Sequence, residues 1–196
     1  MAALQTLGAE EGALFIVDEI FTGMGRTGSF FRIQAEGLTP DLLCLGKGLG
    51  GGMPVSACIG SHEVMAAWGD PVGEAIHTGT FFGHPLGAAA ALAVLASIDE
   101  RSLLKRAEEL GNRFRMKAEA RLKKSVRGAG LFLAIELGEN GSALRFLPKL
   151  LERGYLVLPA GRGASALNLT PALTVDERLL DAFIDTLSEL LERERT

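Results

Sequence analysis

The sequence has few cysteines, no excess of basic residues and no long apolar run, and each shortage excludes a class of protein. Its 196 residues carry 20 Lys and Arg against 24 Asp and Glu, so the clustered positive charge that binds nucleic acid is missing. The longest run of small apolar residues, AAAALAVLASI, is too short to span a bilayer. No basic start followed by an apolar core opens the chain, which argues against a signal peptide. We expect a soluble, cytoplasmic protein with no nucleic-acid or membrane partner.

The cysteines and histidines do not form a recognisable reactive or metal-binding pattern. Cys44 and Cys58 lie in apolar segments without a pairing motif, which predicts buried free thiols in a reducing compartment. His62, His77 and His84 lack the spacing of metal ligands, so no metal is assigned. The G-x-S-x-G elbow of serine hydrolases is also missing.

The order of apolar segments predicts an α/β fold. LFIVDEIF is a continuous apolar run, typical of a strand covered on both faces of a mostly parallel sheet. LLCL and MPVSACIGS are two further strand candidates, and PLGAAAALAVLASI is typical of a helix. We assign residues 1–103 to this first domain.

Residues 104–196 predict a smaller α+β domain, with the helical stretch near residues 102–124 as a connector. A glycine-punctuated strand, GAGLFLAIEL, precedes a helix around ALRFLPKLLERG and two strand candidates, YLVLPAG and ALNLTPAL. The last helix has an apolar stripe, and Thr174 with Glu177 fits a capping box at its start.

Two segments match G-x-G-x-x-G, at residues 23–28 and 46–51. A dinucleotide-binding fingerprint needs a strand directly before the motif and a helix directly after it. SFFRIQAEG is a poor helix opening after the first match, and GMPVSACIG looks extended after the second. Lys47 is followed by Gly48, so a phosphate-binding P-loop is excluded.

Asp18 and Lys47 each follow an apolar strand. Ligands of open α/β sheets bind at the carboxyl ends of the strands, so a carboxylate and an amine are expected around one cleft there. The alternatives are an aspartate that caps a turn and a surface lysine in a flexible loop. HTGTFFGHP adds hydroxyl and backbone N–H groups just before a helix, an arrangement that suits either a phosphate or simple N-capping.

These motifs together resemble the class III aminotransferases, the ornithine, 4-aminobutyrate and ω-amino-acid group of fold-type I enzymes. The segments that carry the resemblance are LFIVDEIFTGMGRTGSFF, TPDLLCLGKGLGGGMPVSACIGS, HTGTFFGHPLGAAAALAVL, VRGAGLFLAIEL and GYLVLPAG. The resemblance implies pyridoxal phosphate as cofactor, an amino donor and a carbonyl acceptor as substrates, and a homodimer. The fold it implies is part of a fold-type I large domain followed by the small domain.

The resemblance also implies residue roles. Lys47 matches the lysine that binds the cofactor aldehyde covalently and then carries the substrate proton. Asp18 matches the acid that pairs with the pyridine nitrogen, Ile20 the apolar residue on the ring face, and Thr80 the threonine that reaches a phosphate oxygen of the neighbouring subunit's site. The glycines around Lys47 are expected to make space for the cofactor.

Three positions depart from the family pattern, and a fourth could compensate for one of these departures. Phe21 stands where many members have a glutamine that touches the ring hydroxyl, and His84 stands where an asparagine is common. Asn168 stands where many relatives have an arginine for the substrate carboxylate, a planar bidentate partner. Arg162 in the nearby AGRGAS loop is a candidate replacement.

Family members are about twice as long, so we expect this chain to be the carboxyl-terminal half of a subunit and poorly active alone. The missing half would supply the phosphate-cradling turn and the aromatic residue stacked on the ring. Three alternatives stay open: an aminomutase of the same family, a nicotinamide-dependent oxidoreductase that uses the glycine patterns, and a non-catalytic remnant.

Overall fold

The computed structural model describes residues 1–67, 69, 77–138 and 140–194. The chain divides into two compact units, the first formed by Met1–Met24 with Ser29–Arg101 and the second by Gly25–Gly28 with Ser102–Thr196. Whether these units correspond to the two domains of a complete family member, divided at residue 103, stays a prediction. In the described residues no helix is both long enough and apolar enough to cross a membrane.

The first unit is a small sheet with helices before, between and after its strands. Its elements in chain order are α1 Ala2–Glu10, β1 Ile16–Asp18, α2 Arg32–Ala35, β2 Leu42–Leu45, a 3₁₀ turn Lys47–Gly50, β3 Ala57–Gly60, α3 His62–Ala66 and α4 Pro85–Glu100. The strand predictions at LLCL and MPVSACIGS and the helix prediction at PLGAAAALAVLASI are confirmed. Helix α1 was not predicted, and none of its residues is buried.

Parallel pairing joins the first two strands. β1 pairs with β2 in parallel, with Val17 opposite Leu43 and Asp18 opposite Cys44, and β2 pairs with β3 in antiparallel fashion. The sheet therefore has one parallel and one antiparallel pair.

The predicted strand LFIVDEIF is much shorter in the structure and is not covered on both faces. Only Ile16–Asp18 is extended in the ladder, because the chain turns immediately afterwards, where the Gly23 N–H donates to the Glu19 carbonyl. Val17 is buried, whereas Ile16 is 57% exposed. One face of this sheet is thus open in the described chain.

The second unit packs helices on an antiparallel sheet. Its elements are α5 Leu103–Leu122, β4 Val126–Ala129, β5 Phe132–Glu136, α6 Ser142–Leu151, β6 Leu158–Ala160, β7 Ala166–Leu169 and α7 Glu177–Arg193, with the strands in the order β4-β5-β7-β6. Its core joins α5, α6, α7 and the sheet through buried residues that include Phe114, Ile135, Phe146, Leu167 and Leu187.

Two local predictions for the second unit are wrong. GAGLFLAIEL forms a hairpin of β4 and β5 instead of one strand, because Gly130 adopts a left-handed φ of +51° and the chain reverses between Ala129 and Phe132. Helix α7 is capped by Asp176, whose carboxylate accepts from the Arg178 N–H at 2.9 Å. Thr174 lies too far before the first helical residue to form the predicted capping box.

Candidate active site

The parallel pair β1–β2 places the two predicted site residues at one edge of the sheet. Asp18 is the last residue of β1, and Lys47 comes two residues after β2 ends at Leu45. Because parallel strands point the same way, both residues lie at the carboxyl edge, where ligands of such sheets bind. Both side chains are exposed.

The loops that leave β1 and β2 contact each other. The Asp18 Oδ1 accepts from the Ile20 N–H at 2.8 Å, which fixes the chain directions just after β1. A Cβ atom on Gly46 would lie 3.4 Å from the Ile20 side chain, so Ile20 packs against the backbone that leads into Lys47. The Lys47 Nζ lies 4.0 Å from the centroid of the Phe21 ring. Asp18, Ile20 and Lys47 therefore form one patch.

The backbone at Lys47 is strained. Its φ is +39°, in the left-handed region that side-chain-bearing residues seldom adopt. Such conformations cost about 1–3 kcal/mol and persist where neighbouring structure enforces them, often at functional sites. The next turn is anchored, because Leu49 and Gly50 are buried. The buried residues Leu49 and Gly50 hold Lys47 in an ordered turn, which distinguishes it from a lysine in a flexible loop.

Two of the glycines around Lys47 make room for side chains of the protein itself, and the predicted space for the cofactor stays a prediction. A Cβ atom on Gly51 would lie 2.7 Å from the Val94 side chain of α4, and Gly51 also has a φ of +57°. Gly46 makes room for Ile20 in the same way. At these two positions the lack of a Cβ atom leaves room for Ile20 and Val94. The lysine loop therefore packs tightly against the segment after β1 and against α4.

Phe21 gives the candidate site a feature that the sequence did not predict. The residue is 47% exposed, and its ring faces the Lys47 ammonium at a distance typical of a cation–π contact. The sequence indicated only that a glutamine was replaced. An aromatic residue three positions after the strand-end aspartate was the available signal, but the sequence did not show that it would meet the lysine.

Glu19 holds the β1 loop from the opposite side. The residue is only 2% exposed, and its Oε1 accepts from the Ile33 N–H at 2.7 Å. Its Oε2 accepts from the Thr22 hydroxyl. A buried carboxylate is costly unless hydrogen bonds satisfy it, and these two bonds do so. Glu19 follows Asp18 directly and faces the opposite side of the sheet, as strand alternation requires, so this geometry gives it a structural role.

Thr80 lies outside this patch, in an exposed turn before α4. Helix α4 begins at Pro85, and the preceding His84 caps it, because its Nδ1 accepts from the Gly87 N–H at 3.3 Å. The sequence offered no role for His84, although its position directly before a proline at the first helical residue was a signal for a cap. The role of Thr80 as a phosphate ligand stays a prediction.

Asn168 and Arg162 belong to the second unit. Asn168 lies half-buried on β7, opposite Ala134 of β5 and Leu158 of β6. It lines a hollow of about 480 Å³ together with Tyr155, Leu169 and other residues of the same unit. Arg162 is exposed in the loop between β6 and β7, and its role as a substitute carboxylate partner stays a prediction.

The cysteines differ from the prediction of buried thiols. Both are free, but Cys44 is only half-buried and Cys58 is exposed. They lie directly opposite each other on β2 and β3. Partial removal from water raises the pKa of the Cys44 thiol, and the nearby Cys58 thiol and Asp18 carboxylate raise it further.

Neither glycine pattern has the geometry of a dinucleotide fingerprint. The segment after Gly46 forms a short 3₁₀ turn that ends at the left-handed Gly51, and the next regular element is the strand β3. After the pattern at residues 23–28, the next helix is α2, which has only four residues. In the described residues that follow the two motifs, no long helix begins where the fingerprint would require one to bind a pyrophosphate.

The family model described as aminotransferase class-III matches residues 1–191, and the chain belongs to this family. Solved relatives share its fold, which confirms the predicted mixed α/β part of a fold-type I enzyme.

Named relatives agree with the family assignment. An acetylornithine aminotransferase of Mycobacterium bovis is 40% identical over 98% of this chain and 47% of its own length. A leucine/methionine racemase of Thermococcus litoralis is 36% identical over 93% of this chain and 43% of its own. An ornithine aminotransferase of Toxoplasma gondii, solved with partial occupancy of PLP at its active site, has a TM-score of 0.85, 32% identity and coverage of 97% and 46%. The chain spans about half the length of these relatives.

Substitution of Glu19 tests whether its buried carboxylate stabilises the loop that carries Asp18 and Ile20. Glu19→Ala leaves the Ile33 N–H buried without its carboxylate partner, which should lower the free energy of unfolding by about 1–3 kcal/mol. Glu36→Ala is the control, since it removes an exposed i,i+4 partner of Arg32 worth about 0–1 kcal/mol. Denaturant unfolding measures both. Equal effects of the two substitutions would contradict a structural role for Glu19.

Proposed function

We propose that this chain supplies the cofactor-lysine half of a pyridoxal-phosphate-dependent class III aminotransferase. The reaction is transfer of an amino group from an amine or amino acid to a carbonyl acceptor. The observation that carries the proposal is the contact between the two strand-end loops, which gathers Asp18, Ile20 and Lys47 at the carboxyl edge of β1–β2. Family membership supports the same reaction class.

The residues present fit the chemistry of the cofactor. Pyridoxal phosphate supplies an electron sink that stabilises the charge released when a bond at the substrate Cα breaks. The Lys47 amine is exposed and held by a constrained backbone, so it is available to an aldehyde and can then carry a proton. The Asp18 carboxylate would hold the proton of the ring nitrogen. Ile20 would present an apolar surface to the ring face.

Thr80 is the candidate contact for the cofactor phosphate, and Asn168 is the candidate contact for the substrate carboxylate. We assign Thr80 to the phosphate of the neighbouring subunit's site in a cytoplasmic homodimer. Asn168 would offer the substrate carboxylate an amide donor, which makes a weaker contact than the two parallel bonds of an arginine. The names of the relatives favour an ornithine-type amino acid as the amino donor.

A second candidate is a reaction within a single substrate, such as racemisation or movement of its amino group. The similarity to the Thermococcus racemase favours it. The two candidates differ in one requirement, because an aminotransferase needs a carbonyl acceptor for each turnover and a racemase or aminomutase does not. Product formation from one amino acid without any acceptor would favour the second candidate.

The remaining half of a family subunit is the partner that this chain requires. The open face of the first unit's sheet exposes Ile16 on β1, and neighbouring Leu14 and Leu42 line an apolar hollow of about 630 Å³. Exposed apolar surface of this extent is typical of a face that another polypeptide covers. We propose that the segment equivalent to the missing half of the relatives covers it.

The chain alone should transaminate at least about 100-fold more slowly than the chain with its remaining half, because the cofactor loses most of its positioning contacts without that half. The measurement compares amino transfer by this polypeptide before and after addition of the amino-terminal half of a class III relative. Turnover at equal rates in both samples would contradict the proposal that the chain is a half-site.

The second test maps the covalent anchor. Treatment with pyridoxal phosphate followed by borohydride should place a stable pyridoxyl label on Lys47, and Lys47→Ala should abolish it. Lys105→Ala is the matched control, because Lys105 is exposed on α5 in a loose pair with Glu109, and this variant should retain the label. Peptide mapping by mass spectrometry locates the modified residue. Preferential labelling of another lysine, or none with the remaining half supplied, would contradict the assignment.

A further inference from the structure

The two cysteines occupy a special position in the antiparallel pair β2–β3. Cys44 lies directly opposite Cys58. The Glu19 N–H of the β1 loop donates to the Cys44 carbonyl at 2.9 Å, so the backbone polar groups of Cys44 point toward β1. Cys44 and Cys58 therefore form a non-hydrogen-bonded pair of the antiparallel ladder, in which the Cα atoms are about 4.5 Å apart and the side chains are closest.

This separation is compatible with a disulfide. Disulfides span Cα distances of about 4.4–6.8 Å, and pairs beyond about 7 Å cannot be bridged without backbone movement. Directly opposed side chains of a ladder also lie on the same face of the sheet. Cys44 and Cys58 are the only cysteines of the chain, so no other thiol competes within it.

The surroundings of the two thiols assign them different roles. In the chain without its remaining half, Cys58 is exposed and can meet a reagent from solvent, whereas Cys44 is half-buried. The pKa of the Cys44 thiol is raised by partial burial, by the Cys58 thiol and by the Asp18 carboxylate, which lowers its thiolate fraction. Because the thiolate is the attacking species, Cys58 is the entry point and Cys44 is the resolving thiol.

Consistent with the proposed function, in which the remaining half covers this face, we propose that Cys44 and Cys58 of the chain without that half form a dithiol site that low-molecular-weight disulfides oxidise to an intrachain disulfide. The Cys58 thiolate attacks one sulfur of the reagent, forms a mixed disulfide and releases one thiolate. The Cys44 thiol then loses its proton and attacks the Cys58 sulfur, which closes the protein disulfide and releases the second thiolate. One protein dithiol is oxidised, and one reagent disulfide is reduced to two thiols.

The site lies beside the candidate active site. Cys44 is the register partner of Asp18 on β1, and it precedes Lys47 by three residues. A bond from Cys44 to Cys58 would tie β3 to the strand that leads into the lysine turn. Excess small-molecule thiol would reverse the reaction by the same exchange.

The test exposes the full, reduced chain to oxidised glutathione and follows free thiols, intact mass and tryptic peptides. Free thiols should fall from two to zero per chain, with no retained glutathione. Cleavage after Lys47 separates the two cysteines, so one disulfide-linked peptide pair should appear. Reduction with excess glutathione should restore both thiols.

Single substitutions separate the two steps. Cys44→Ser should stop at a stable mixed disulfide on Cys58, because the resolving thiol is gone. Cys58→Ser should yield no linked peptide pair and should leave Cys44 reacting at least about tenfold more slowly than Cys58 does in Cys44→Ser. Persistence of glutathione on Cys58 in the unchanged chain, linkage only between different chains, or no loss of thiols would each overturn the proposal.

Discussion

The parallel pairing of β1 with β2 is the constraint on which the candidate site depends. Only parallel neighbours end at the same edge of a sheet, so this pairing brings Asp18 of β1 and the turn after β2 together. If the two strands ran antiparallel, their carboxyl ends would lie at opposite edges. The packing of Ile20 on Gly46 and the position of the Lys47 amine over Phe21 both follow from it.

Asp18 and Glu19, the two acidic residues at the end of β1, have different roles. Glu19 is buried and satisfied by the Ile33 N–H and the Thr22 hydroxyl, so it holds the loop. Asp18 points the other way, is exposed, and keeps a carboxylate oxygen for a ligand beyond its bond to the Ile20 N–H. Strand alternation is the physical reason for this division, since consecutive residues of a strand face opposite sides of the sheet.

The sequence predicted the elements of the site better than their contacts. Apolar runs predicted β2, β3, α4 and most of the second unit, and the strand-end positions of Asp18 and Lys47 followed from the same runs. The contact of Lys47 with Phe21, the cap at His84 and the strained φ at Lys47 depend on how two loops meet, and no short sequence pattern encodes that. The β4–β5 hairpin was missed because its reversal depends on a single left-handed glycine, Gly130.

The nitrogen NMR chemical shift of the cofactor ring tests the role of Asp18 most directly. It is measured on pyridoxal phosphate labelled at the ring nitrogen and bound to the chain together with its remaining half. The unchanged protein should show a protonated ring nitrogen, because a carboxylate next to it favours the charged form, and Asp18→Asn should shift the signal to that of a neutral pyridine. A protonated nitrogen in both proteins, or a neutral one in both, would contradict the assignment of Asp18.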